Sequence, residues 1–405
     1  MFKNIINNIS SRHFWRTASF SEMGQLHVAR LVRTIAINLG AGLIAVYMYK
    51  IGYSLVFISL FWVAYFMLKV VIMLPLAQLI ASIGPRKSII ISNFLYVPSM
   101  IAFMFVEQYG MPMLVITVIF QTSSAALYDM GYLVGLSRLS RDSSKGGRAV
   151  AMMKIAETVA KGLSPLIGGI LAMMFDPRAS IVVSLLFFVL ASLPLIKMVD
   201  SMKTGFRLAP RGFGWKDAAQ SLLVQIPIGF DYYASTTAWS LFLVVLIFAS
   251  GGNEVYAKLG ALTSLILVVS LVSAYAYGKL IDKKAGGQLL VWTAIGSVVS
   301  NLFRVFVRTP IAAIGTNAAH EMMATGYSMA YTRGMMDTAN QTGYRVFYIA
   351  MTQLASNLGA GLAALVMAVI IALLGDTAGF SAFYLVTSII VIGIAFVRFS
   401  VYKKA

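Results

Sequence analysis

The side chains with chemistry to offer are ionisable groups inside long apolar stretches: Lys69, Asp129, Lys154, Glu157, Lys161, Asp231, His320 and Glu321. Placing such a group near the centre of an apolar span costs roughly 2.5–3.5 kcal/mol on insertion scales, so each is a candidate for proton, ion or solute chemistry. Asp231 is the strongest of them. It lies about fourteen residues, roughly 21 Å of helix, into its apolar stretch and hence close to the middle. Gln225, Tyr232 and Tyr233 flank it, and Ser235 and Trp239 follow one and two turns further along its face. A carboxylate beside aromatic rings attracts an organic cation, and takes a proton when the cation is absent, which would couple two fluxes. The competing reading gives Asp231 a permanent ion pair with Lys69 or Lys161, so that its loss harms folding more than selectivity.

His320 and Glu321 are neighbours and project about 100° apart on a helix, which turns them toward different surroundings. A histidine changes charge near neutral pH and suits a proton relay; a hydrogen-bonded packing role fits the same position. Gln121, Ser124 and Tyr128 recur at i, i+3 and i+7, forming the polar stripe expected of a cavity wall. Asp129 lies beside that stripe at the depth of Lys154 and Glu157, which groups it with a structural charge cluster. Glu157 and Lys161, four residues apart, can pair within one helix. Other chemistry is excluded. There is no cysteine, hence no thiolate nucleophile or disulfide. His13, His27 and His320 are too scattered for a zinc site, and Gly84-Pro85-Arg86-Lys87-Ser88 lacks the spacing of a phosphate-binding loop. No cofactor is expected and no nucleophile–base pair is visible, so the chain does not read as an enzyme.

Groups of this kind need an apolar scaffold. The composition supplies one, with 59% hydrophobic and 11% charged residues and a mean hydropathy of +0.83, which no soluble domain shows. Hydropathy places membrane spans at 29–49, 54–82, 87–106, 110–138, 147–174 and 178–197, then at 217–249, 254–282, 288–307, 309–332, 343–373 and 378–400. A basic linker, 198–216, joins the bundles 29–197 and 217–400. Residues 1–28 read as an interfacial segment and 401–405 as a tail. Arg86, Lys87, Arg138, Lys145, Lys279, Lys283, Arg333 and the linker fall on one side, whereas the opposite loops hold little beyond Lys50, Arg178, Lys258 and Arg308. Positive residues stay inside, so both termini are expected in the cytoplasm of a cell bounded by an inner, plasma-type membrane. The net charge of +18 reports this topology and not a nucleic-acid partner.

Two loops then carry a family resemblance. Residues 77–87 read Ala-Gln-Leu-Ile-Ala-Ser-Ile-Gly-Pro-Arg-Lys, and a second copy reads Gly278-Lys279-Leu280-Ile281-Asp282-Lys283. With Gly84, Arg86 and Lys87 in one and Gly278, Asp282 and Lys283 in the other, they resemble the paired gating loops, G-x-L-A-D-R-x-G-R-R, of the major facilitator superfamily. Ala81 replaces the acid of the first copy. Ser164-Pro165-Leu166-Ile167-Gly168-Gly169 is similar to the G-P-x-x-G-G motif of the family's exporters. Gln121, Ala125 and Ala126 match the fourth-helix motif of its proton antiporters, where Val118 stands in place of an arginine.

The resemblance covers essentially the whole chain. It implies an all-α membrane protein of twelve transmembrane helices in two pseudo-symmetric six-helix bundles, rocking around a midplane site lined by spans one, four, seven and ten. Asp129, Asp231, His320 and Glu321 then fall on cavity-lining spans, and Pro165, Gly168 and Gly169 at a close-packed interface. The repeated piece Asn-Leu-Gly-Ala-Gly-Leu, at Asn38 and again at Asn357, adds hydrogen-bonding side chains. The expected activity is proton-coupled export of a small amphiphilic or cationic organic solute by a monomer in the lipid bilayer. The alternatives are uptake or exchange of an organic anion, favoured by the absent arginine and by Lys69 and Lys161, and a lipid-handling or sensing protein.

Overall fold

The computed structural model describes residues 22–40, 44–139, 146–175, 177–196, 211–248, 254–283 and 285–402. Most of the expected N-terminal segment and of the linker therefore lies outside the described residues. Helix α1 comprises Glu22–Leu39 and Ile44–Lys50. Then follow α2 (Leu55–Ile83), α3 (Pro85–Met104), α4 (Met111–Leu139), α5 (Gly146–Met174) and α6 (Pro177–Leu190 with Leu193–Ile196). After the linker, α7 begins as Trp215–Leu223 and runs through Gln225–Tyr233 and Trp239–Phe242. It is followed by α8 (Glu254–Asp282), α9 (Gly286–Arg304), α10 (Pro310–Gln341), α11 (Arg345–Leu374) and α12 (Asp376–Val391).

Ten of these are both long and apolar enough to cross a membrane. The other two, α5 with 29 residues and α10 with 32, have the length and complete the expected twelve. Helix α10 is the more polar for its length, because it carries Thr316, Asn317, His320, Glu321 and Thr325. It also runs nine residues beyond the expected end at 332. No proline falls in Arg333–Gln341, Gln341 Nε2 donates to Asp337 at 2.6 Å, and the stop comes only at Gly343, with φ of 72°.

Local signals set the other ends. The Ser54 hydroxyl accepts from the Phe57 amide and caps α2, whose exit needs Gly84 at φ 87°. Thr309 caps α10 by accepting from the Ala312 amide, with Pro310 in the first turn. Helix α7 is irregular: it widens into π-helical turns at Ala234–Ala238 and Leu243–Ile247, just beyond Asp231.

Two long helix pairs bring the halves together, α5 on α8 and α2 on α11. The first is a backbone-to-backbone contact. A Cβ at Gly169 would strike the Tyr256 carbonyl, and one at Gly260 the Pro165 carbonyl. One apolar cluster spans both halves around Phe61, Tyr65, Phe230, Trp239 and Phe383. Outside, Val71, Trp292, Phe303 and Leu373 stay exposed, as they must for lipid to cover them.

Candidate functional site

The first polar network is built into the N-terminal half around Arg33 of α1, which is 1% exposed. Its Nη1 donates to Asn93 Oδ1 on α3 at 2.5 Å and its Nη2 to Ser124 Oγ on α4 at 3.1 Å. Asn93 in turn donates to Ser192 on α6 at 3.0 Å. The guanidinium lies 3.9 Å over the Tyr128 ring. Gln121, Ser124 and Tyr128, the expected cavity wall, all lie in or beside this network. All three are buried, Ser124 donates to the Ser92 carbonyl at 2.6 Å, and Gln121 donates to Tyr96 at 3.2 Å. Periodicity found the polar face of α4; what it meets is a buried arginine and α3.

The second network fills the C-terminal half. Asp231 is 1% exposed and accepts from Tyr327 at 2.5 Å, Asn301 at 2.9 Å and Ser297 at 3.4 Å, with His320 Nε2 3.5 Å away. His320 Nε2 also meets the Ser235 hydroxyl at 2.6 Å, and its Nδ1 meets Ser300 at 3.0 Å. Each ring nitrogen thus has a hydroxyl partner, and Ser300 also donates to the Ser297 carbonyl at 2.9 Å. Arg304 Nη1 donates to Ser235 at 3.2 Å and Asn301 at 2.9 Å, and its guanidinium lies 4.7 Å over Trp239. Asp231, His320 and Arg304 are therefore wired together through Ser235 and Asn301.

This placement corrects two expectations for Asp231. Its carboxylate points into the bundle of α7, α9 and α10 and presents no open face to an organic cation. It pairs with neither lysine: Lys69 bonds Asp129 instead, and Lys161 lies exposed on α5. Tyr232, the next residue, is 57% exposed. Helical geometry explains the split, since adjacent side chains project about 100° apart.

The accessible charges sit elsewhere. Asp129 of α4, with its side chain 37% exposed, lies 3.2 Å from Lys69 Nζ of α2 and 3.9 Å from Arg30 Nη1 of α1. The Arg30 guanidinium in turn covers the Tyr132 ring at 4.6 Å. Asp129 was grouped with Lys154 and Glu157 from depth alone; those two side chains lie outside the described residues, and the partners present are Lys69 and Arg30. Helices α2 and α4, which carry Lys69 and Asp129, both touch α11 of the other half. In that half, Glu321 accepts from Ser270 of α8 at 3.1 Å, and Ser270 meets Thr158 of α5 at 3.5 Å, so one hydroxyl ladder crosses between halves.

The remaining residues have local roles. Asn38 and Asn357 each donate to a carbonyl of their own helix, at Thr34 and Gln353. Arg86 donates to the carbonyls of Leu195 and Ile196 and fastens the end of α6 within its own half. Lys87, Asp282 and Lys283 are exposed, and Gly278 is buried. Gly168 packs on the Leu39 backbone and Gly169 on Tyr256, with Pro165 one turn earlier against Gly260. Sequence reasoning missed Arg33, Asn93, Asn301 and Arg304. The signal was present, because both arginines fall inside the spans 29–49 and 288–307, but near enough to an end to pass as flanking charge.

Comparison with known proteins agrees with this architecture. A family profile, Major Facilitator Superfamily, matches residues 26–364. No curated protein matches the sequence. Among solved structures, the chain is similar to a bacterial homologue of the iron transporter ferroportin in the outward-facing state, with a TM-score of 0.70 and 12% identity over 93% of this chain and 98% of that one. It is also similar to FucP, a transporter of the superfamily in the outward conformation, with a TM-score of 0.63 and 14% identity over 93% of this chain and 98% of that one. The human organic anion transporter TETRAN gives a TM-score of 0.62 and 14% identity over 91% and 98%. At such identities these likenesses speak for the fold alone. The chain belongs to the major facilitator superfamily and is an integral, multi-pass membrane transporter rather than an enzyme.

Proposed function

We propose that this secondary transporter exports a small organic solute in exchange for protons, and that Asp231 carries the proton. The observation behind the reading is the enclosed network of Asp231, His320 and Tyr327, which links three groups able to hold or pass a proton while keeping them apart from the accessible charges at Asp129. A proton that enters here changes the charge inside the C-terminal bundle without competing directly for the solute's position. The path from that bundle to the other half runs through α10, which carries His320 and Tyr327 on the inside and Glu321 toward α8 and α5. Protonation of Asp231 loosens the hold of Tyr327 and Asn301, and α10 is free to shift against the Thr158–Ser270 contact. Two observations support a rocking cycle: glycines line the α5–α8 seam, and π-helical turns follow Asp231. Export is proposed on the Pro165–Gly169 stretch at that seam. The charge alternation of the loops supports cytoplasmic termini in an inner membrane, and a monomer suffices, since both halves lie in one chain.

The test is transport by the full chain in proteoliposomes, with benzenesulfonate and benzyltrimethylammonium as permanently charged probes. An imposed pH gradient should drive the carried probe in the wild type. Asp231→Asn should retain probe exchange but lose acceleration by the gradient. Gradient-driven movement that survives in Asp231→Asn, or no pH effect on either probe in the wild type, would overturn the reading.

A further inference from the structure

The cluster of Arg30, Lys69 and Asp129 plays no part in the proton step, and its carboxylate is its most accessible member, with the Asp129 side chain 37% exposed. Its composition is unbalanced: two cations hold one carboxylate, at 3.9 and 3.2 Å, and Arg33 places a further buried positive charge one turn along α1. A cationic solute approaching Asp129 meets two like charges, whereas an anionic group meets two donors already oriented toward a carboxylate. The surroundings narrow the choice further. Arg30 rests on the ring of Tyr132, and Lys69 Nζ lies 5.7 Å from the Tyr65 ring, so aromatic rings flank both cations beside the carboxylate they hold. Two turns from Lys69 on the same face of α2, Trp62 packs edge-on against Tyr65 at 5.1 Å and continues the aromatic wall. Its indole Nε1 is buried with no hydrogen-bond partner.

We infer that this cluster binds the negatively charged group of the transported solute, which is a small organic anion with a flat apolar body. Asp129 is the internal stand-in for that group: it occupies Lys69 and Arg30 when the site is empty and gives them up when the solute arrives. The inference rests on the transport reading above, but its test involves no protons, so either can fail without the other.

The experiment is thermal unfolding of the purified full chain in detergent, titrated with benzenesulfonate or with benzyltrimethylammonium at constant ionic strength. Benzenesulfonate should stabilise the wild type, and the cation should not. In Asp129→Asn, which removes the competitor while keeping its shape, half-saturation should fall about tenfold. Lys69→Gln and Arg30→Gln should each weaken the sulfonate effect by about tenfold or more; should the lysine variant not fold, the arginine variant carries the test. Stabilisation by the cation in place of the sulfonate would overturn the assignment. So would a sulfonate midpoint that none of the substitutions moves, or an Asp129→Asn chain that the sulfonate fails to stabilise.

Discussion

Tyr327 holds Asp231 through one hydroxyl at 2.5 Å, so that hydroxyl is the smallest part of the proton network that can be removed. Tyr327→Phe leaves the ring packed and withdraws a single donor. We expect it to cost about 1–3 kcal/mol, the range for a buried polar group losing its partner, read as a lower unfolding temperature. Gradient-driven transport should slow while probe binding persists. Arg33→Met in the other half should lower stability by at least as much, because Asn93 and Ser124 are left facing an apolar side chain. Unlike Asp231→Asn, it should not selectively uncouple. At this scale the sequence was partly legible. An ionisable side chain in the middle of an apolar span is visible as an anomaly, which is how Asp231, Asp129 and His320 were found. Which way each one points is not visible, because a carboxylate facing Tyr327 and one facing a cavity cost the same letter. The two buried arginines were overlooked for a related reason: a cation near a span end looks like one that reaches water.

Among the helices, α5 and α8 form the contact on which a rocking motion depends. Gly169 and Gly260 are closed to any side chain by the carbonyls of Tyr256 and Pro165, so Gly169→Leu or Gly260→Leu must push the helices apart. Overpacking of this kind costs about 1–3 kcal/mol, and more where backbone is struck. The expected outcome is a folded protein with lower thermal stability and a transport rate reduced far more than probe affinity, measured by comparing initial rates with binding midpoints. Helix positions were the most legible feature, because membrane length and loop charge constrain each other: a missed span would have inverted the charge pattern beyond it. The length of α10 and the π-helical turns of α7 were not legible. Hydropathy weakens where a helix carries Thr316, His320 and Glu321, and the Ser-Thr-Thr run at 235–237 has no pattern that distinguishes a π turn from an α one.

As a whole, the molecule separates two kinds of charge. Asp231, His320 and Arg304 are buried inside one half, and Arg30, Lys69 and Asp129 cluster in the other, with the Asp129 side chain 37% exposed. That separation suits a transporter in which proton and solute act on one conformational equilibrium instead of contending for one carboxylate. The cysteine-free sequence makes the equilibrium easy to follow. Tyr232→Cys, at an exposed position next to Asp231, should react with a membrane-impermeant maleimide at a rate that pH changes severalfold in the otherwise wild-type chain and leaves unchanged in the Asp231→Asn background. The most direct measurement is proton release or uptake by the purified chain on adding benzenesulfonate, followed with a pH indicator in weak buffer. The account predicts a stoichiometric proton signal in the wild type that is absent in Asp231→Asn, although the sulfonate still binds that variant. An undiminished signal from Asp231→Asn would contradict it and move the proton site elsewhere.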